Sequence, residues 1–276
     1  MRFSYILIAF YLSINAPVLM AQNKSKGVVY IDENQNGTRY RGEKGLADVL
    51  VSNGSSVVQT DKQGRWELPC NDDTGLFVIK PHGYSLPVNA FGSPVHYYLH
   101  KPNGSPNLAV PGVEPTGPLP ASIDFGLLPQ QQSDTFSILV FSDTQARGIK
   151  EVNYVSHDVV EECIGTEAVF GITLGDIVAD DPNLFDQVSK STAQIGIPWY
   201  YAFGNHDNNR DAIEMEHCDE TFERFFGPST YAFEYGKVSF IVLRDIMFYE
   251  PGKYKSEYTS TQLEFVKNYL DYLPED

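Results

Sequence analysis

Cysteine is scarce and never paired in sequence. The chain has 276 residues and three cysteines, Cys70, Cys163 and Cys218, with no C-x-x-C among them. That argues against a zinc knuckle or a dithiol redox motif. An odd count leaves at least one thiol outside any disulfide, and three free thiols is an equally good reading. Basic charge is also short: 20 Lys and Arg stand against 36 Asp and Glu, a net charge of −16. A polyanion would be repelled at long range, so no nucleic-acid partner is expected. A small phosphorylated substrate remains open, because a bound cation reverses the field inside a cleft. Histidine stops at His217. After the first residues no apolar run is long enough to cross a bilayer.

What is present begins with "MRFSYILIAFYLSINAPVLMAQ". Arg2 precedes an apolar stretch to about Ile14, then small and turn-forming residues to Ala21. This is the layout of a secretory signal peptide, residues 1–21, cut near Ala21–Gln22. A buried or spanning helix is the competing reading, but Asn15 and Pro17 interrupt it. No cysteine follows the cut, so lipid attachment is not indicated. The expectation is an exported protein, periplasmic or secreted.

Residues 26–128 read as short strands between Gly, Asn and Asp clusters, with about ten residues per strand. "GVVYI", "DVLVSNG", "SVVQT", "GRWELP" and "GLFVIKP" predict an all-β, immunoglobulin-like sandwich. "TDKQGRWEL" reads as a tight hairpin turn, and "ASIDFGLL" as the last strand. The Pro- and Gly-rich stretch 100–120 is too long for a simple connection and reads in part as an excursion within the sandwich. Residues 129–135 read as a linker. From 136 to 276 strands alternate with helices, predicting an α/β domain with parallel pairing. A final amphipathic helix is expected to bury Leu263, Val266 and Leu270.

Three apolar strands end in polar turns at "FSDTQ", "LGDIVADD" and "FGNHDNN". They deliver Asp143, Asp176 and Asn205, and strand ends in an α/β sheet converge on one edge. A single Asp after a strand is more often a helix cap or turn former. Three such positions together favour a shared site. Carboxylate, amide and imidazole donors suit Mn, Fe or Zn. Asp176 has two oxygens to bridge two ions. His206 is placed to meet a leaving-group oxygen, and Asp207 to orient its imidazole. Asp180 and Asp181 read as a solvated helix-start cluster, with supporting or lid residues of the site as the alternative. His82, His96 and His100 read as structural or exposed, and His157 and His217 as bystanders.

On "SDTQ", "LGDIVADD" and "FGNHDNN", and on "FGPSTYAFEYGKVSFIVL" downstream, residues 136–276 resemble the calcineurin-like metallophosphoesterase family. The family pattern is D-x-H, G-D and G-N-H-[DE], followed by two further histidine motifs. The resemblance implies a four-layer α/β/β/α sandwich with a dinuclear centre. It implies that Asp143 and Gln145 bind one ion, Asp176 bridges, Asn205 binds the second, and His206 is catalytic. Gln145 stands where the family has histidine. "SDTQ" is similar to a variant in one branch that includes exported bacterial members, so Gln145 reads as a substituted ligand. The later histidines are absent, so the expectation is a truncated domain with weak metal binding and little turnover on its own. The implied reaction is hydrolysis of phosphate mono- or diesters, on a small substrate or a phosphoprotein. The alternative is a non-catalytic exported binding or adhesion module, or an inactive fragment.

A second motif lies apart from these. "DENQNGTRYRGE", residues 32–43, fits D-x-[DN]-x-[DN]-G-x5-E. Asp32, Asn34, Asn36, the Thr38 carbonyl and Glu43 are candidate calcium ligands, after a strand rather than a helix. An Asx-rich loop without an ion is the even alternative.

Overall fold

The computed structural model describes residues 23–250 and 252–274. The signal-peptide reading lies outside the described residues. Mixed sheets and few helices give an α/β fold.

The first half is two four-stranded sheets. Its strands are β1 (Lys24–Ile31), β2 (Leu50–Ser52), β3 (Val57–Gln59), β4 (Arg65–Pro69), β5 (Thr74–Ile79), β6 (Tyr84–Ser85), β7 (Tyr97–His100) and β8 (Phe125–Pro129). One sheet runs β4-β1-β8-β6, the other β3-β2-β5-β7. Between them pack Val29, Val51, Trp66, Leu76, Val78 and Leu127. Alternation along β5 decides the rest. Leu76 and Val78 face that core, while Phe77 and Ile79 face the opposite way into a second core.

"ASIDFGLL" does supply the last strand of this half, β8. "TDKQGRWEL" does not make a hairpin within one sheet. Asp61 Oδ1 accepts the amides of Gln63 and Arg65, each at 2.8 Å. The tight turn is there, but β3 and β4 belong to different sheets, so it carries the chain across the sandwich. Only part of stretch 100–120 stays with the sandwich, where Leu119 packs against its core. Val110 O accepts from Thr221 Oγ1 at 2.9 Å and Asn209 Nδ2 at 3.2 Å. Pro111 O accepts from Arg224 at 3.2 Å. The segment is a strap tied to the second half by its backbone carbonyls, which a proline-rich chain leaves free of ladder bonds.

The second half holds a parallel sheet, β11-β10-β9, made of β9 (Leu139–Phe141), β10 (Gly171–Thr173) and β11 (Trp199–Tyr201). The β9–β10 crossover contains α1 (Ile149–Val155), a π turn at Ser156–Val160 and α2 (Glu161–Cys163). The next contains α3 (Phe185–Thr192) between short 3₁₀ turns. Gly171 is required where β10 meets β11, since a Cβ there would lie 2.0 Å from the Trp199 ring. Then follow α4 (Glu220–Phe226), the hairpin β12 (Tyr231–Tyr235) and β13 (Val238–Val242), and a hairpin the sequence reading missed, β14 (Ile246–Glu250) with β15 (Lys253–Ser256).

Helix α5 (Ser260–Leu270) starts at a Thr259–Gln262 capping box. Its buried face differs from expectation. Gln262, Phe265 and Tyr269 are buried, whereas Leu263 and Leu270 are half exposed. The reason is the neighbour. Phe265 meets Phe77 of β5 edge to face at 5.5 Å, and aromatic burial outweighs that of the flanking leucines. All three cysteines are free thiols.

Candidate metal centre

Two of the three parallel strands, β9 and β10, are cut short by turns that need unusual backbone. Among the described residues seven non-glycines have left-handed φ, and four of them are Asp143, Gln145, Asp176 and Asp180. Such conformations are costly and persist where the surroundings over-determine them. Here neighbouring turns lock one another. Gln145 N donates to Asp176 O at 2.9 Å, and His206 N donates to Asp176 Oδ1 at 3.0 Å. Gly204 lies so close that a Cβ would sit 2.2 Å from Asp176 N and Oδ1. Only glycine lets the β10 and β11 turns touch.

Three predicted site residues share one spot. Gln145 Nε2 donates to Asp143 Oδ1 at 2.6 Å and to Asp176 Oδ2 at 3.0 Å. Asn205 follows Gly204 on the adjoining turn, with a half-buried side chain. Two carboxylates so close to one amide make a donor set suited to a divalent cation, whose charge would offset their repulsion. A half-turn of the Gln145 carboxamide presents Oε1 to the same point. The residues therefore fit a metal.

His206 is held differently from expectation. Its Nδ1 lies 2.6 Å from Asp180 Oδ1, and Arg210 pairs with the same carboxylate. Asp180 is thus not a solvated helix-start residue. Asp181 is the helix cap, accepting from Asn183 N at 3.2 Å. Asp207 is turned inward and fully buried. It accepts Gly204 N at 2.9 Å and Val178 N at 3.2 Å. Burial pushes its carboxyl up to about 8. Asp207 knits the turns together, and the carboxylate on the imidazole is Asp180. The signal available in sequence was spacing: Asp180 is four residues past Asp176, within reach of the strand end.

His96 is buried, His157 pairs with Asp158, and His217 Nδ1 sits 2.6 Å from Glu220 Oε1. Two groups of acids could hold an ion through His217, one with Asp73 and Glu220, the other with Glu214 and Glu216. Lys101 already neutralises Asp73 and Glu220 in the first, and the acids of the second are exposed.

Residues 33–109 match the family model described as the N terminal of Calcineurin-like phosphoesterase. Over that region the chain is similar to the N-terminal part of calcineurin-like phosphoesterases. No curated protein matches the chain. Among the described residues no helix is long and apolar enough to cross a membrane.

Proposed function

We propose that the chain is an exported metal-dependent phosphoesterase, with residues 26–128 as an immunoglobulin-like module, 129–135 as a linker, and 136–276 as part of a four-layer catalytic domain. The observation that carries this reading is the meeting of Asp143, Gln145 and Asp176 at one hydrogen-bonded point above adjacent parallel strands. In this reading Asp143, Gln145, Asp176 and Asn205 would hold the divalent ions, with Asp176 shared between them. When bound, such ions clamp phosphoryl oxygens and make a water acidic enough to act as nucleophile near neutral pH.

The chain's own residues do the rest. Asp143 and Asp176 set the charge that draws cations into the turn. Asp180 fixes the His206 ring through Nδ1, which leaves Nε2 to face substrate. His206 then gives a proton to the departing oxygen of a phosphate mono- or diester. Gln145 is a harder, weaker ligand than imidazole, so manganese or iron is favoured over zinc.

The test, on an extended protein that carries the whole catalytic domain, is hydrolysis of p-nitrophenyl phosphate and its bis ester with added manganese. Turnover that disappears in Asp176→Ala and His206→Ala is expected. Undiminished turnover in Asp176→Ala would refute the assignment.

A further inference from the structure

The loop from Asp32 to Glu43 closes on itself at the end of β1. Ile31 N donates to Lys44 O at 2.9 Å, and Leu46 N donates to Val29 O at 2.8 Å. The first and twelfth residues of the loop therefore flank the last bond of its neck. Burial within the loop is inverted from what hydration favours. Asp32 is 2% exposed and Glu43 5%, while every residue between them is exposed. Among the described residues neither carboxylate has an ion-pair partner. Two buried anions without a cation are costly.

Their oxygens are unevenly used. Asp32 Oδ2 accepts Gly37 N at 2.9 Å, and Oδ1 accepts Asn36 N at a longer 3.2 Å. Glu43 Oε2 accepts Tyr40 N, an amide of the loop itself, at 3.0 Å, which folds the carboxylate over the loop. Glu43 Oε1 is buried and has no partner at all. A buried acceptor left unmade is worth roughly 1–3 kcal/mol of lost stability, and more when charged. The Tyr30 hydroxyl is also buried and unpartnered. It lies on the Asp32 side of the loop: a Cβ at Gly126 would sit 2.9 Å from Asp32 Cβ and 3.0 Å from the Tyr30 hydroxyl.

We propose that this loop is a structural calcium site, closed by the Asp32 and Glu43 carboxylates and completed by the Asn34 and Asn36 carboxamide oxygens and the Thr38 carbonyl. An all-oxygen donor set excludes a preference for soft metals. A twelfth-position Glu with a spare oxygen suits the larger, irregular shell of Ca²⁺ better than the strict octahedron of Mg²⁺. Asn34 Oδ1 and Asn36 Oδ1 each accept one loop amide and keep a second lone pair for the ion. With two anionic ligands the affinity falls on the order of 10⁻⁴–10⁻³ M, the range of extracellular modules. Bound calcium pins the loop to β1, which pairs with both β4 and β8.

The test uses the full chain after chelator treatment. Calorimetric titration with calcium is expected to give saturable binding, with a rise in Tm that magnesium does not match. Terbium, a calcium-sized ion, should luminesce on tyrosine excitation because Tyr30 lies against the site, and calcium should quench it. These responses persist in Asp176→Ala, which separates them from the candidate phosphoesterase centre. Glu43→Gln weakens binding at least tenfold. If that variant does not fold, Asn36→Ala, at an exposed position, carries the same comparison. The proposal falls if wild-type protein gives no saturable calcium binding up to about 10 mM, ten times the weak end of that range. It falls equally if magnesium matches calcium, if Asp176→Ala abolishes the response, or if the folded loop variant binds like wild type.

Discussion

The Nδ1 of His206 lies 2.6 Å from Oδ1 of Asp180, across two different turns. The ring is therefore oriented by a residue that belongs to the β10 turn, not by its own neighbour Asp207. Asp180→Asn is expected to lower kcat toward bis-p-nitrophenyl phosphate with little change in KM. The drop should be about tenfold and smaller than that of His206→Ala, for which a loss of about 10²–10⁴ is expected. Steady-state kinetics with manganese checks this. An equal loss on replacing either residue would mean that Asp180 holds the turn rather than the ring.

Lys101 is buried where the strap leaves β7. Its Nζ lies 2.8 Å from Glu220 Oε2 and 2.9 Å from Glu223 Oε2, and it also pairs with Asp73. Glu220 is almost wholly buried, so removing the cation strands its charge. Lys101→Met is expected to cost about 3–5 kcal/mol. Urea unfolding at pH 7 measures it, and a loss under about 1 kcal/mol, the size of a surface pair, would mean that Glu220 is not stranded.

His96 is packed against Phe77, Tyr97 and Tyr231, and burial pushes its pKa down to about 4. In the unfolded chain it titrates near 6.5. Between those values the unfolded state takes up a proton that the folded state refuses. Stability from this group is thus whole above about pH 6.5 and declines as pH falls toward 4, by roughly 3 kcal/mol in total. His96→Phe, which cannot be protonated, should flatten that acid limb. Urea midpoints between pH 7 and pH 5 give the comparison, and an unchanged slope in the variant would remove His96 as its source.

The site was legible in sequence because its donors sit at strand ends, where an apolar run followed by Gly-Asp or Gly-Asn marks both the strand and the turn. Asp143, Gln145 and Asp176 do come together. The partner of His206 was not legible, because choosing between Asp180 and Asp207 needs the direction of two side chains, one turned to the imidazole and the other inward. Burial on α5 was misread for a related reason. Periodicity marks an apolar stripe, but Leu263 and Phe265 offer two stripes, and only the facing Phe77 decides between them. The strap failed because Pro and Gly announce a departure from regular structure without saying where the chain goes. Its docking on Thr221 and Arg224 spans over a hundred residues of sequence.

Strand β5 has a consequence beyond its own sheet. Because its alternate residues are shared between two interiors, neither half of the molecule owns a complete set of inward-facing side chains. Phe77 and Ile79 are 0% and 1% exposed only because Phe265 and its neighbours cover them. A cut at residues 129–135 would bare an oily surface on both pieces. The two halves should therefore melt in one step, and neither should be expressed as an independent, well-behaved fragment.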